Sequence, residues 1–201
     1  MGVLYRAKHY FTDHQLLIIY KSHVRSQMEY NSHLFAGCGE GALNSLDSIQ
    51  KQFIKLINNP SLTDSLPALS VRRDVSCLCL FYRYFHGHCS DEISSIMPPL
   101  SNPARRTRTS EAMHGFTVDV PFARTQKFYD SFLPRTCRLW NFLHPSTFPL
   151  NYNLQLFKSS VFKFLSSGNS WTLRGLSGLR VCLFQGFFIY KKKKKNKLQY
   201  Y

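Results

Sequence analysis

Apolar residues return every three or four positions through most of the first 99 residues, and that period predicts helices. In "TDHQLLIIYKSHVRSQMEY", Thr12 is placed to cap a helix with Asp13 in its first turn, and Leu16, Leu17, Tyr20, Val24 and Met28 then share one face. "GCGEG" (Gly37 to Gly41) interrupts the pattern. "ALNSLDSIQKQFIKLIN" restarts it through Leu43, Leu46, Ile49, Phe53, Leu56 and Ile57, with Pro60 stopping the helix nearby. "SVRRDVSCLCLFYRYFHGH" is apolar nearly all round after Asp74, which marks a central helix. "SDEISSIMPPL" reads as a short capped helix ended by Pro98 and Pro99.

The pattern changes after residue 100. "NPARRTRTS" reads as an exposed basic loop. "GFTVDVPFARTQKFYDSF" alternates enough for one or two short strands, a small β insert near 105 to 131, with Pro121 excluding a central strand position. Helix is expected again in "PRTCRLWNFLH", with Pro134 at the first helical position, and in "NLQLFKSSVFKFLSS", with Leu154, Phe157, Val161 and Phe164 in register and Gly168 as the stop. From Gly168 onward no period persists. The expected fold class is therefore mainly α: a helical bundle, then a small α+β C-terminal region and an irregular tail. The corresponding divisions are 1–60, 61–99, 100–167 and 168–201.

Charge sharpens this picture. The 201 residues hold 26 Lys and Arg against 11 Asp and Glu, a net charge of +15. Lys191 to Lys195 and Lys197 supply six of the positives, and without them the remainder is still +9. A basic chain of this kind expects a polyanion, RNA or duplex DNA before an acidic membrane surface. Arg72 and Arg73, then Arg105, Arg106 and Arg108, then Arg135 and Arg138 form three groups suited to phosphate contacts; the last two share a face by their i, i+3 spacing. Trp140 and Phe142 fit a core better than a base-stacking platform.

Other chemistry is poorly supported by the sequence. Cys77, Cys79, His86, His88 and Cys89 form a cluster that invites a metal, but helix residues two apart point about 200° from each other. Structural zinc sites prefer cysteines spaced by about two to four residues. No metal or cofactor is expected. The one adjacent acidic pair, Asp91 and Glu92, suits the first turn of a helix, and Asp74 reads as a local ion partner of Arg72 and Arg73. No P-loop, G-x-S-x-G or H-E-x-x-H occurs, and no catalytic residue is assigned. Met1 leads straight into "GVLYRAKHYF" rather than a secretory leader, so an intracellular place, cytoplasmic or nuclear, and reduced thiols are expected. Arg6 stands where a myristoylation signal requires Ser or Thr. The apolar run "VCLFQGFFIY" has half of the roughly twenty residues a membrane span needs. "KKKKKNK" is also what a translated A-rich stretch would encode, so the tail reads as a readthrough product.

Several ordered words carry a resemblance. They are "VLYRAKHYFTDHQLLIIYKSHVRSQMEYNSHLF", "LDSIQKQFIKLIN", "LSVRRDVSCLCLFYRYFHGHCSDEI", "RRTRTS" and "SFLPRTCRLWNFLHPSTFPLNYNLQLFKSSVFKFL". In that order they resemble the C-terminal third of the reverse transcriptases of jockey-like non-LTR retrotransposons of insects, over residues 2 to 167. The resemblance implies that residues 2 to about 60 are thumb helices that grip a template–primer duplex and that the rest is the region after the thumb. It implies that fingers and palm, with the aromatic-Ala-Asp-Asp catalytic turn, are missing, so no polymerase activity is expected. Arg72, Arg73, Asp74, Arg135 and Trp140 fit the family words. Ser26, Phe35 and His144 depart from the usual Pro, Trp and Pro. The expected function is non-specific binding of RNA or DNA. A non-functional or host-adopted protein-interaction module is the alternative, and peripheral membrane binding through the tail is a weaker one.

Overall fold

The computed structural model describes residues 1–101 and 114–167, and the protein is mainly α-helical. Ten α-helices follow one another among these residues: α1 (Gly2–Ala7), α2 (Asp13–Ile19), α3 (Ser26–Glu29), α4 (Glu40–Ile57), α5 (Pro60–Thr63), α6 (Leu69–Phe85), α7 (Asp91–Ile96), α8 (Gln126–Tyr129), α9 (Phe132–Phe142) and α10 (Leu154–Ser166). A π-helical stretch, Tyr20–Arg25, joins α2 to α3 without a break.

The first core forms around the face that the N-terminal apolar stripe predicts. Thr12 closes a reciprocal capping box with Gln15, so α2 starts where two orphan donors find partners. Leu16, Leu17, Tyr20 and Met28 are buried together with Phe53, Leu56 and Ile57 of α4, and Val24 packs at the edge. Tyr20 stacks on Phe53 with ring centroids 3.9 Å apart, and burial pushes its phenol up to about 12. The α4 helix ends at Ile57 because Asn58 turns left-handed (φ 52°). Pro60 then opens α5 at its first position, where its missing N–H costs nothing.

The second core lies on the other half of α6. Val75, Leu78, Phe81 and Tyr82 pack with Leu139 and Trp140 of α9 and Phe157, Val161 and Leu165 of α10. Leu69, at the start of α6, belongs instead to the first core. This helix is central, as its nearly uniform apolarity predicts, because it serves both cores in succession. Tyr82 stacks on Phe157 at 4.2 Å, and its hydroxyl accepts the Asn153 N–H at 3.2 Å. Asn153 in turn caps α10.

Three expectations need correction. First, the β insert reduces, among the described residues, to one antiparallel bridge between Leu100 and Val118. Ser101 N–H donates to Thr117 O at 2.9 Å and Asp119 N–H to Pro99 O at 3.0 Å. The pairing stops there because Pro98, Pro99 and Pro121 lack donors, and because the side-chain amide of Asn141 takes the backbone of Val118. That amide accepts its N–H at 3.0 Å and donates to its carbonyl at 2.8 Å. The stretch that follows forms α8 rather than a strand. Second, α9 begins at Phe132, with Ser131 as its cap, so Pro134 is the third helical residue. It is still tolerated, because the first four N–H groups of a helix have no intrahelical acceptor. Third, Leu165 rather than Phe164 completes the buried face of α10.

Candidate nucleic-acid interface

Arg72, Arg73 and Asp74 are consecutive on α6, so they leave the helix about 100° apart. Each fastens a different helix. Arg72 grips Glu29 of α3 with its Nε and Nη2, the second contact at 2.7 Å. Arg73 forms a two-pronged pair with Asp47 of α4, at 2.8 and 3.2 Å. Asp74 accepts from Arg135 Nη2 of α9. The expectation that Asp74 is a local partner of Arg72 and Arg73 is thus corrected: neighbours in sequence diverge on a helix, and the carboxylate reaches an arginine 61 residues away. These pairs are partly withdrawn from water, with the Arg73 side chain 9% exposed and that of Asp74 11%. Hydrogen bonding to Glu29 raises the Arg72 guanidinium above its usual range.

Arg138 is engaged differently. Its Nη2 donates to Tyr129 O at 2.8 Å, and its guanidinium carbon lies 3.5 Å from the Tyr129 ring centroid. Its Nη1 is buried and has no partner among the described residues. Burial, followed in opposite sense by Tyr129 and Asp130, lowers this guanidinium from its usual range. Four of the seven arginines expected to meet phosphate are therefore turned onto groups of the protein itself. Arg105, Arg106 and Arg108 lie outside the described residues, as does the tail from Gly168 with Lys191 to Lys195 and Lys197.

Arg73, Asp74, Arg135 and Arg138 all line a single cleft of about 1180 Å³. Ser32, Asp47, Lys51, Lys127 and Asp130 are further polar groups of this cleft, and nothing in the sequence singled them out. No motif joins them, because they come from elements far apart in the chain. Gly37, at φ +87°, brings the loop carrying Ser32 against α8. A Cβ there would lie 3.3 Å from Lys127 O and 3.4 Å from Ser131 Cα. Only a residue without a side chain holds this approach and this φ without strain.

The cysteine–histidine cluster is spread out. Cys77 is buried in the core, with burial pushing its thiol up to about 11, and Cys79 is raised equally by the same cause. His86 and His88 instead lie against Tyr152, at 5.3 and 4.2 Å. Among the described residues no three His, Cys, Asp or Glu side chains come close enough to hold a metal ion. Asp91 and Glu92 open α7, as their position predicts, and are exposed. Trp140 is fully buried, while Phe142 is 37% exposed.

His114, away from the cleft lining, is another residue that no sequence pattern singled out. It is buried, its Nε2 lies 3.1 Å from Trp140 O, and its Nδ1 accepts the Phe116 N–H at 3.2 Å. That pattern requires the neutral ring protonated on Nε2. Burial lowers its pKa, partly offset by the Trp140 carbonyl. A depressed histidine contributes stability that is complete above its unfolded value of about 6.5 and is lost as pH falls through the folded value. The thermal midpoint should therefore drop between pH 7 and 5. His86 shifts in the same direction, through burial and then His88, so the comparison is with His114→Gln. That variant should lose part of the pH dependence, and an unchanged slope would remove His114 from the account.

These features define a mainly α-helical protein whose arginines clasp its helices around a cleft lined by both charged and apolar groups. Comparison of the chain with family models, curated proteins and solved structures finds no match. Among the described residues no helix is long and apolar enough to cross a membrane.

Proposed function

We propose that this chain corresponds to the C-terminal third of a reverse transcriptase of the jockey-like non-LTR type, and that it binds RNA or duplex DNA through phosphates with little sequence preference. One observation carries the reading: where the uncompensated charge lies. Residues 102–113 and 168–201 hold eleven of the 26 basic residues and only one of the 11 acidic ones. The helical body is nearly balanced by comparison and spends Glu29, Asp47 and Asp74 on internal arginines. Cations in large excess over the acids around them in sequence are well placed to release counterions from a polyanion. On this reading the helices are the support, and Arg105, Arg106, Arg108 and the lysine run supply the contacts.

The test is a salt titration of full-length protein on a labelled RNA duplex, followed by anisotropy. Affinity should fall by at least tenfold between 50 and 200 mM salt, roughly as expected for several phosphate contacts. Replacing Arg105, Arg106 and Arg108 together by Gln should flatten the logarithmic slope by about one for each arginine that no longer meets a phosphate, roughly three in all. Affinity indifferent to salt would sink the proposal.

A protein-interaction role draws on a separate observation. Val3, Tyr10, Phe11, Ile18, Tyr30 and Leu34 stand exposed on the first 35 residues, apolar groups that a protein partner would cover if they meet in one patch. Membrane binding through the tail concerns residues outside those described.

A further inference from the structure

We propose that the cleft between α4, α6 and α9 is a binding site for a phosphate monoester, with Arg138 and Ser32 as its inner ligands. Two buried donors point to it. Among the described residues Arg138 Nη1 has no hydrogen-bond partner, and neither has the hydroxyl of Ser32, a residue only 3% exposed. Both residues line the same cleft. A buried donor left unmade keeps its full desolvation penalty, so two at one cavity are a cost that a bound acceptor would remove. Among the described residues Thr136 is the other one with a buried unpaired hydroxyl, and it does not line the cleft.

The charges favour an anion. Arg73 and Arg135 are matched by Asp47 and Asp74, which leaves Arg138, Lys51 and Lys127 against Asp130. Asp130 is itself occupied by Gln126 Nε2 at 2.7 Å. The ion pairs do not compete for the ligand, and they stiffen the walls on which it would sit.

The donor set favours phosphate over carboxylate. A carboxylate is best met by a whole guanidinium fork, and the Arg138 fork is already divided, with Nη2 on Tyr129 O. What remains is the Nη1 amino group of Arg138, one hydroxyl and two ammonium groups, from four separate elements. Three terminal oxygens on a tetrahedral centre suit donors arriving from different sides. The cation–π contact with Tyr129 holds the guanidinium plane in place beforehand. The cleft is larger than the anion, and its apolar wall includes Phe35, Leu43 and Leu69, so an organic body of nucleotide size fits behind the phosphate.

This site is independent of the duplex binding proposed above, which rests on other cations. Calorimetric titrations of the full chain would compare adenosine 5′-monophosphate with adenosine, and a short 5′-phosphorylated oligonucleotide with its 5′-hydroxyl twin. The first pair tests a free nucleotide and the second a nucleic-acid end. The phosphorylated member of at least one pair should bind at least tenfold more tightly than its partner. Arg138→Gln should abolish that preference. Ser32→Ala removes an unpaired hydroxyl, so it should fold normally, and it should weaken the phosphorylated ligand about threefold while leaving duplex affinity and its salt slope unchanged. Equal binding of phosphorylated and unphosphorylated members in both pairs would overturn the proposal. So would a Ser32→Ala protein that binds the phosphorylated ligand as the wild type does.

Discussion

Trp140→Ala should cost about 3–5 kcal/mol of folding stability, the range for removing a fully buried large aromatic side chain. The indole is 0% exposed and lies within aromatic contact of Phe81 (4.9 Å), Phe85 (5.2 Å), Phe148 (4.8 Å) and Phe157 (5.7 Å). These rings come from α6, α10 and the turn after α9, so no single neighbour can move in to fill the space. The indole also carries a polar duty, since Nε1 donates to Phe116 O at 2.7 Å. Its own backbone carbonyl meets His114. The substitution therefore opens a cavity and leaves a carbonyl unpaired in one change. Total stability of a domain is about 5–15 kcal/mol, so the variant gives up a large share of it. Urea denaturation followed by far-ultraviolet circular dichroism measures the loss, because one of only two tryptophans is gone. Trp140→Phe separates the two contributions: it keeps most of the packing, gives up the hydrogen bond, and should cost about 1–3 kcal/mol. A Trp140→Ala protein within about 1 kcal/mol of wild type would mean that the second core does not close around this ring.

The helices were legible because their determinants are local. Thr12 needs only Gln15 three residues on to cap α2, and the stripe of Leu16, Leu17, Tyr20 and Met28 needs only the helical period. The central place of α6 was equally plain, since a helix apolar on most sides must be covered on most sides. What failed was whatever depends on a distant partner. Alternation in residues 116–120 predicted a strand, but a strand needs a neighbour with free donors and acceptors. The neighbour here is two prolines and the amide of Asn141. The arginines were picked out as a group of cations, and their destinations could not be read from spacing. Arg72 reaches back 43 residues, Arg73 26, and Arg135 61. The cleft was invisible for the same reason: Ser32, Lys51, Lys127 and Arg138 share no period and no motif, and meet only after the chain has packed. Of these four, Arg138 alone was singled out beforehand, and it stands there with one donor unspent.

The ion pair between Asp74 and Arg135 is the other place where one substitution should have a large effect. Asp74→Leu removes the carboxylate and leaves a partly buried guanidinium near Arg138 without its ion-pair partner. Breaking a buried pair in this way costs about 3–5 kcal/mol, because the remaining charge keeps its desolvation penalty and loses its partner. Arg135→Met should be similarly harmful, stranding a carboxylate whose side chain is 11% exposed. Replacing both, Asp74→Leu with Arg135→Met, should recover most of the loss, since an apolar pair of similar bulk needs no solvation. The expected signature in a double-mutant cycle is therefore strong coupling, with the double variant more stable than either single one. The more exposed pair of Arg72 with Glu29, at 27% and 22%, serves as the internal comparison, and Glu29→Gln should cost clearly less. Strict additivity of the Asp74 and Arg135 changes would show that the two do not meet. The clasp that joins α6 to α9 would then have to be sought in the aromatic core alone.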